Sequence, residues 1–143
     1  MRVLSAQFMK SATRLSEWPA ADGRKEIAVC GRSNVGKSSL LNQLLQKGVL
    51  ARVSKTPGRT RLLNFFSVEC GLPSGARERL LVTDLPGFGY AEVHRSERAT
   101  WQHMIDEYFR SRQSLVSVLL LCDGRRVMDP KADALLFDER EPA

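Results

Sequence analysis

With 143 residues, 43% of them hydrophobic and 27% charged, the chain has the apolar content for one globular core and is short for two domains. No apolar run approaches the roughly 20 residues that span a bilayer, and Met1–Lys10 lacks the apolar stretch of a secretory leader. A membrane-spanning or secreted protein is therefore not expected, and a soluble, cytoplasmic one is. The net charge of +6 and pI near 9.7 leave two readings open, a solvated Arg-rich surface or contact with a polyanion such as nucleic acid. Cys30, Cys70 and Cys122 each fall at or near the end of an apolar run, without metal-ligand spacing, and read as buried reduced thiols.

In chain order, residues 1–25 carry little periodicity and read as an ordered arm that ends in a turn at Ala20–Gly23. Glu26–Cys30 is a short apolar strand. The helix after it starts at Gly36-Lys37-Ser38, with Leu40/Leu44 and Leu41/Leu45 as i, i+4 pairs on one face and Gly48 as its C-cap. Residues 52–61 are polar, basic and contain Pro57-Gly58, so they form a loop. Leu62–Cys70 is a strand with Phe66, Val68 and Cys70 on one face and Phe65, Ser67 and Glu69 on the other. The turn at Gly71–Gly75 is too short for a crossover helix, so Leu80–Thr83 pairs with that strand as an antiparallel hairpin. Gly87–Arg95 is a further loop. Ser96 is placed as the N-cap of a helix on which Trp101, Met104, Ile105, Tyr108 and Phe109 make an apolar core stripe. Leu115–Cys122 reads as a central parallel strand covered on both faces, and Asp129-Pro130 opens a last helix. This order predicts an α/β fold: a doubly wound, mostly parallel sheet with one antiparallel edge strand.

The chemistry sits in two segments. Gly31-Arg32-Ser33-Asn34-Val35-Gly36-Lys37-Ser38 matches G-x-x-x-x-G-K-[ST], the phosphate-binding loop whose backbone N–H groups wrap a nucleotide's phosphates. Lys37 supplies a point charge to the β- and γ-phosphates, Ser38 offers a hydroxyl to magnesium, and the helix directs its positive end at the anion. Asp84-Leu85-Pro86-Gly87 ends a neighbouring strand, where the carboxylate suits magnesium held through water and the Gly87 N–H suits the γ-phosphate. Thr56 and Thr60 both lie in the loop before the hairpin. Either could complete the magnesium shell when triphosphate binds, and Thr60, nearer the strand, is the better placed. His94 and His103 have no partner spacing and read as solvated.

Gly31–Ser39, Ser54-Lys-Thr-Pro-Gly-Arg-Thr60, Asn64-Phe-Phe66 and Asp84-Leu-Pro-Gly-Phe-Gly-Tyr-Ala91 strongly resemble the EngB-type (YihA/YsxC) bacterial ribosome-biogenesis GTPases, of the TrmE-Era-EngA-EngB-Septin-like class. Phe8–Ala12 and the stretch from Trp101 to Leu115 are similar to the same family. The resemblance implies a Ras-like GTPase fold and a slow GTP hydrolase that acts in assembly of the large ribosomal subunit, is needed for normal cell division and septation, and is a monomer at full length. It implies nucleotide contacts from Gly31–Ser38, from Gly58, Arg59, Thr60, Arg61 and Leu62, and from Asp84–Gly87. Magnesium goes to Ser38 and Thr60, and a potassium ion beside the phosphates goes to Asn34. No residue is assigned as catalytic outright; Lys37, Thr60 and Asn34 assist. Phe88 stands where Ras-like signalling GTPases carry a water-orienting glutamine, which implies slow intrinsic hydrolysis.

Two departures stand out. Arg61 replaces the glutamine that the family usually carries, and the guanine-reading [NT]-K-x-D motif is missing. Lys131-Ala-Asp133 resembles its tail but follows Asp129-Pro130 at a helix start, so it reads as a decoy. The expectation is an arm, residues 1–25, packed on a GTPase domain, residues 26–143, whose C-terminal part with the base-reading motif is absent. The alternatives are an adenine-nucleotide ATPase or kinase, and a ribosome-docking fragment without catalysis.

Overall fold

The computed structural model describes residues 1–45, 62–88 and 95–125, with backbone only at 95–98. Gly48, the loop at 52–61 and the helix start at Asp129-Pro130 lie outside these residues, as do His94 and Lys131–Asp133. The described elements are β1 (Arg2–Ala12), β2 (Lys25–Gly31), α1 (Lys37–Leu44), β3 (Leu63–Gly71), β4 (Arg77–Asp84), α2 (Arg95–Ser111) and β5 (Leu115–Leu121), with a 3-10 turn at Leu15–Glu17. The five strands form one sheet in the order β1-β3-β4-β2-β5.

β4 and β5 run parallel to β2, while β3 is antiparallel to β4 and to β1. The expected α/β class and the hairpin are therefore present. β3 is the strand that runs against the others, but it is not the edge. The arm supplies that edge as the 11-residue strand β1. Its alternation is blurred by two register irregularities, between Val3 and Ser5 and between Phe8 and Lys10. A bulge moves the inward position by one residue, which erases the period-2 signature.

The core lies on both faces of the sheet. Val29, Phe66, Val68, Cys70 and Leu80 pack with Leu41 of α1 and with Leu45, its C-cap. On the other face Ala28, Cys30, Leu63 and Phe65 pack with Trp101, Met104, Ile105 and Tyr108 of α2. The alternation expected for β3 is met. Of the leucine pairs on α1, Leu41 and Leu45 are buried and Leu44 is exposed. α2 already includes Arg95 in its helical backbone, so Ser96 falls within the first turn instead of capping it. Phe109, at the stripe's margin, is partly exposed beside the buried Tyr108.

β5 closes the sheet among the described residues. It pairs with β2 alone and ends the sheet, with Val116, Val118 and Leu119 exposed at 60, 45 and 42%. Among the described residues it is an edge strand with part of its apolar surface exposed. Cys122, just past it, is exposed, whereas Cys30 and Cys70 are buried as expected. Burial pushes the Cys30 thiol up to about 11, so it is protonated and unreactive at neutral pH.

Glu26 ties β2 to β4, to α2 and to the turn after α2, and no periodicity marks it. Fully buried at the start of β2, it accepts from Thr83 Oγ1 at 2.5 Å and Tyr108 Oη at 2.6 Å on one oxygen. Its other oxygen accepts from Arg112 Nε at 2.6 Å and Ser114 Oγ at 2.7 Å. Burial alone would raise this carboxyl, but the four donors outweigh it and hold it below its ordinary value. The C-terminal end of α2 is thereby fastened to the start of β2 and, through Thr83, to β4 one residue before Asp84.

Candidate functional site: a phosphate loop zipped to the end of β4

The site forms where β2 and β4 end side by side. The backbones continue to pair beyond the strands: Leu85 N–H donates to Val29 O at 3.0 Å, Phe88 N–H to Gly31 O at 3.2 Å, and Ser33 N–H to Phe88 O at 2.9 Å. Arg32 and Phe88 thus form an isolated parallel bridge. The approach is tight at Gly87, and a second close contact, to β5, requires glycine at Gly31. A Cβ on Gly87 would stand 3.1 Å from Ser33 Oγ and 3.2 Å from Ser33 Cα. One on Gly31 would stand 2.8 Å from the Leu121 carbonyl oxygen. The two segments singled out in the sequence are therefore one unit, with Phe88 turned into the core beneath it.

Within the loop, Asn34 and Gly36 both have left-handed backbone, with φ of 63° and 99°. Asparagine and glycine are the residues that tolerate this conformation. Val35 N–H closes a turn onto Arg32 O at 3.3 Å. Gly36 then caps α1, and Lys37 is its first residue. Ser38 is exposed in the first turn, beside the N-terminal amides of the helix. Leu85 is buried under the loop and Pro86 is half-buried.

Lys37 Nζ forms an ion pair with Asp84 Oδ1, and both side chains are close to nine-tenths buried. Burial raises the Asp84 carboxyl, while Lys37 and a hydrogen bond from Asn64 work against that rise. Of the expected contacts, Gly31–Ser38 and Asp84–Gly87 are thus assembled in one place. Leu62 is half-buried just before β3. Gly58, Arg59, Thr60 and Arg61 lie outside the described residues, and with them the magnesium role of Thr60. Sequence reasoning missed Asn64 as part of the site. Its signal was a lone polar residue on the face of β3 that otherwise carries Phe66, Val68 and Cys70, at the register position opposite Asp84.

The donor set suits a hard divalent cation. Asp84 offers a carboxylate and Ser38 a hydroxyl, oxygen ligands of the kind that serve Mg²⁺ together with phosphate oxygens. Among the described residues no group of three His, Cys, Asp or Glu side chains is gathered for a metal, so coordination by protein side chains alone is not built here. His103 is exposed on α2. No helix among the described residues is long and apolar enough to cross a membrane.

Comparison with known proteins agrees with this geometry. Residues 26–141 match the family model described as 50S ribosome-binding GTPase. A relative from Anaeromyxobacter sp. (strain Fw109-5), "Probable GTP-binding protein EngB", is 50% identical over 96% of this chain and 64% of its own length. Relatives of the same name from Pelotomaculum thermopropionicum and Clostridium beijerinckii are 48% and 40% identical, over 87% and 97% of this chain and 59% and 65% of theirs. The chain therefore spans just under two thirds of the length of these curated relatives. With its phosphate loop and the β4 terminus zipped together as the motifs require, the chain belongs to the family of 50S ribosome-binding GTPases, as an EngB-type member.

Proposed function

We propose that this chain binds GTP and GDP with Mg²⁺ at the Gly31–Ser38 loop and serves as a slow GTPase switch in assembly of the large ribosomal subunit. The observation that carries the reading is the ion pair between Lys37 and Asp84 at the junction of the zipped segments. A lysine and a carboxylate held together there are the groups that a magnesium–triphosphate complex would take up separately, the lysine by phosphate and the carboxylate by the metal shell. Bound Mg²⁺ would neutralise charge on the phosphates. Ser38 and Asp84 would hold it, with Thr60 as the third protein group, and Asn34 would face a K⁺ ion. The N–H groups of the loop and of Gly87 orient the phosphates.

Guanine is assigned from family membership and from the relatives' names, since the sequence carries no [NT]-K-x-D motif. The ribosomal partner rests on the family's description and is consistent with the net charge of +6. A cytoplasmic location, a monomeric state at full length and a contribution to cell division and septation follow from the same reading. Residues 1–25 act as an arm on a GTPase domain of residues 26–143, a division supported by the pairing of β1 along β3. Co-sedimentation with purified large ribosomal subunits tests the switch. Binding is expected with a non-hydrolysable GTP analogue and weaker binding with GDP. Association that ignores the nucleotide would favour a docking fragment, and preference for ATP over GTP would favour an adenine-nucleotide enzyme.

A further inference from the structure

Three polar residues stand in one row across three strands. Ser11 on β1 is the register partner of Asn64 on β3, and Asn64 is the register partner of Asp84 on β4. Register partners share a face of the sheet, here the face that carries α1 and the phosphate loop. Ser11 Oγ donates to Asn64 Oδ1 at 2.6 Å. That bond fixes which way the amide points: its oxygen is turned to Ser11, leaving the Nδ2 donors for the carboxylate of Asp84, its register partner on β4. The row ends on Lys37, paired with the same carboxylate.

We propose that Asn64 is a positioning residue for the magnesium site, holding the Asp84 carboxylate in place, and that Ser11 of the edge strand sets the orientation of the Asn64 amide. The inference rests on the magnesium–nucleotide reading above. When phosphate draws Lys37 away from Asp84, the carboxylate loses its ionic partner, and the amide of Asn64 keeps it aimed at the metal shell. An amide suits this task because it is neutral. It donates to the carboxylate without competing for phosphate as a second lysine would, and without repelling it as an acid would. The arm thereby reaches the nucleotide site through two hydrogen bonds, although β1 is separated from β4 by a whole strand.

The test is the affinity of a fluorescent GDP analogue for the full chain, titrated with magnesium and again with EDTA. The ratio of the two dissociation constants isolates the metal's contribution. Removing a hydrogen bond to a charged group is worth about tenfold, so Asn64→Ala should shrink the ratio by about tenfold while the EDTA value moves less than about twofold. Ser11→Val and Ser11→Thr have the same shape and differ in the hydroxyl. The valine variant should shrink the ratio about threefold and the threonine variant should restore it, with equal melting temperatures. A ratio unchanged in Asn64→Ala, or equal in the two Ser11 variants, overturns the inference while leaving the magnesium site intact. Loss of affinity to the same extent in EDTA also overturns it, because that is the mark of a purely structural residue. A wild-type chain that binds the analogue equally well with and without magnesium would overturn the magnesium reading, and this inference with it.

Discussion

Arg112, just past the end of α2, places its Nε 2.6 Å from Oε2 of Glu26, the fully buried carboxylate at the start of β2. The guanidinium also lies over the rings of Trp18 and Phe65 and donates to the Pro19 carbonyl at 2.9 Å. The pair therefore joins the arm, the sheet and the helix. Breaking a buried pair by deleting one partner strands the other charge, which costs about 3 kcal/mol or more. Glu26→Ala should lower the unfolding free energy by about that amount in urea titrations, with Arg112→Ala similar and the double variant much less than additive. Additive losses would mean that the two residues act independently.

The same carboxylate gives the fold an acid limit. Glu26 is held below its ordinary value in the folded state, so the unfolded chain takes up its proton first as pH falls. Its contribution is complete above the ordinary carboxyl range and is lost as pH drops through the lowered native value. Urea midpoints measured from pH 7 to pH 3 should fall steeply for the wild type. In Glu26→Gln they should start lower and decline less. Parallel pH profiles would remove Glu26 from the acid response.

Asn34 has two properties that one substitution can separate. Its backbone is left-handed, with φ of 63°, and its side chain is exposed beside the loop. Asn34→Gly keeps the backbone conformation free of strain and removes only the amide. If the amide holds potassium, hydrolysis should be faster in potassium than in sodium at equal ionic strength, and Asn34→Gly should erase the difference without weakening nucleotide binding. Equal wild-type rates in both salts would exclude the cation.

Phe88 is 5% exposed and belongs to the core on the α2 side. Its ring cannot orient water by hydrogen bonding, and here it packs beneath the site. Phe88→Ala should therefore destabilise the fold by about 3 kcal/mol, yet leave the single-turnover rate per folded molecule within about threefold of wild type, a change of well under 1 kcal/mol in barrier. A large fall in that rate, with binding retained, would give the ring a direct part in hydrolysis.

β5 presents Val116, Val118 and Leu119 to solvent, and among the described residues its outer edge pairs with no strand. Open apolar edges template self-association. The chain should sediment as concentration-dependent oligomers, and Val118→Lys, a charge on that strand, should shift it toward monomer. Equally monomeric behaviour of both proteins would show that this edge is protected.

The parts of the fold that were legible in the sequence are those where one physical signal dominates. The glycines and lysine of the phosphate loop and the alternation of β3 each have a single reading. So do the short turn that forces the β3–β4 hairpin and the spacing of Trp101, Met104, Ile105 and Tyr108. β1 was not legible, because bulges scramble its alternation and its partner lies about 60 positions away, a pairing no local pattern encodes. β5 was legible as an apolar parallel strand, and its surroundings were not. Its run from Leu115 has the composition of a covered strand, and composition does not reveal whether a neighbour is there. Glu26 and Asn64 went unassigned as working residues, because a single polar side chain in a strand acquires its meaning only from partners on other elements.

The central claim is that Lys37 serves a nucleotide's phosphates, and equilibrium binding of a fluorescent GTP analogue in magnesium tests it most directly. Lys37→Ala removes the cation and leaves the Asp84 carboxylate without its ionic partner, facing the phosphates. The wild-type chain should bind the analogue, and Lys37→Ala, with an unchanged circular dichroism spectrum, should bind it at least about a hundredfold more weakly. Equal affinity in the two proteins would contradict the account.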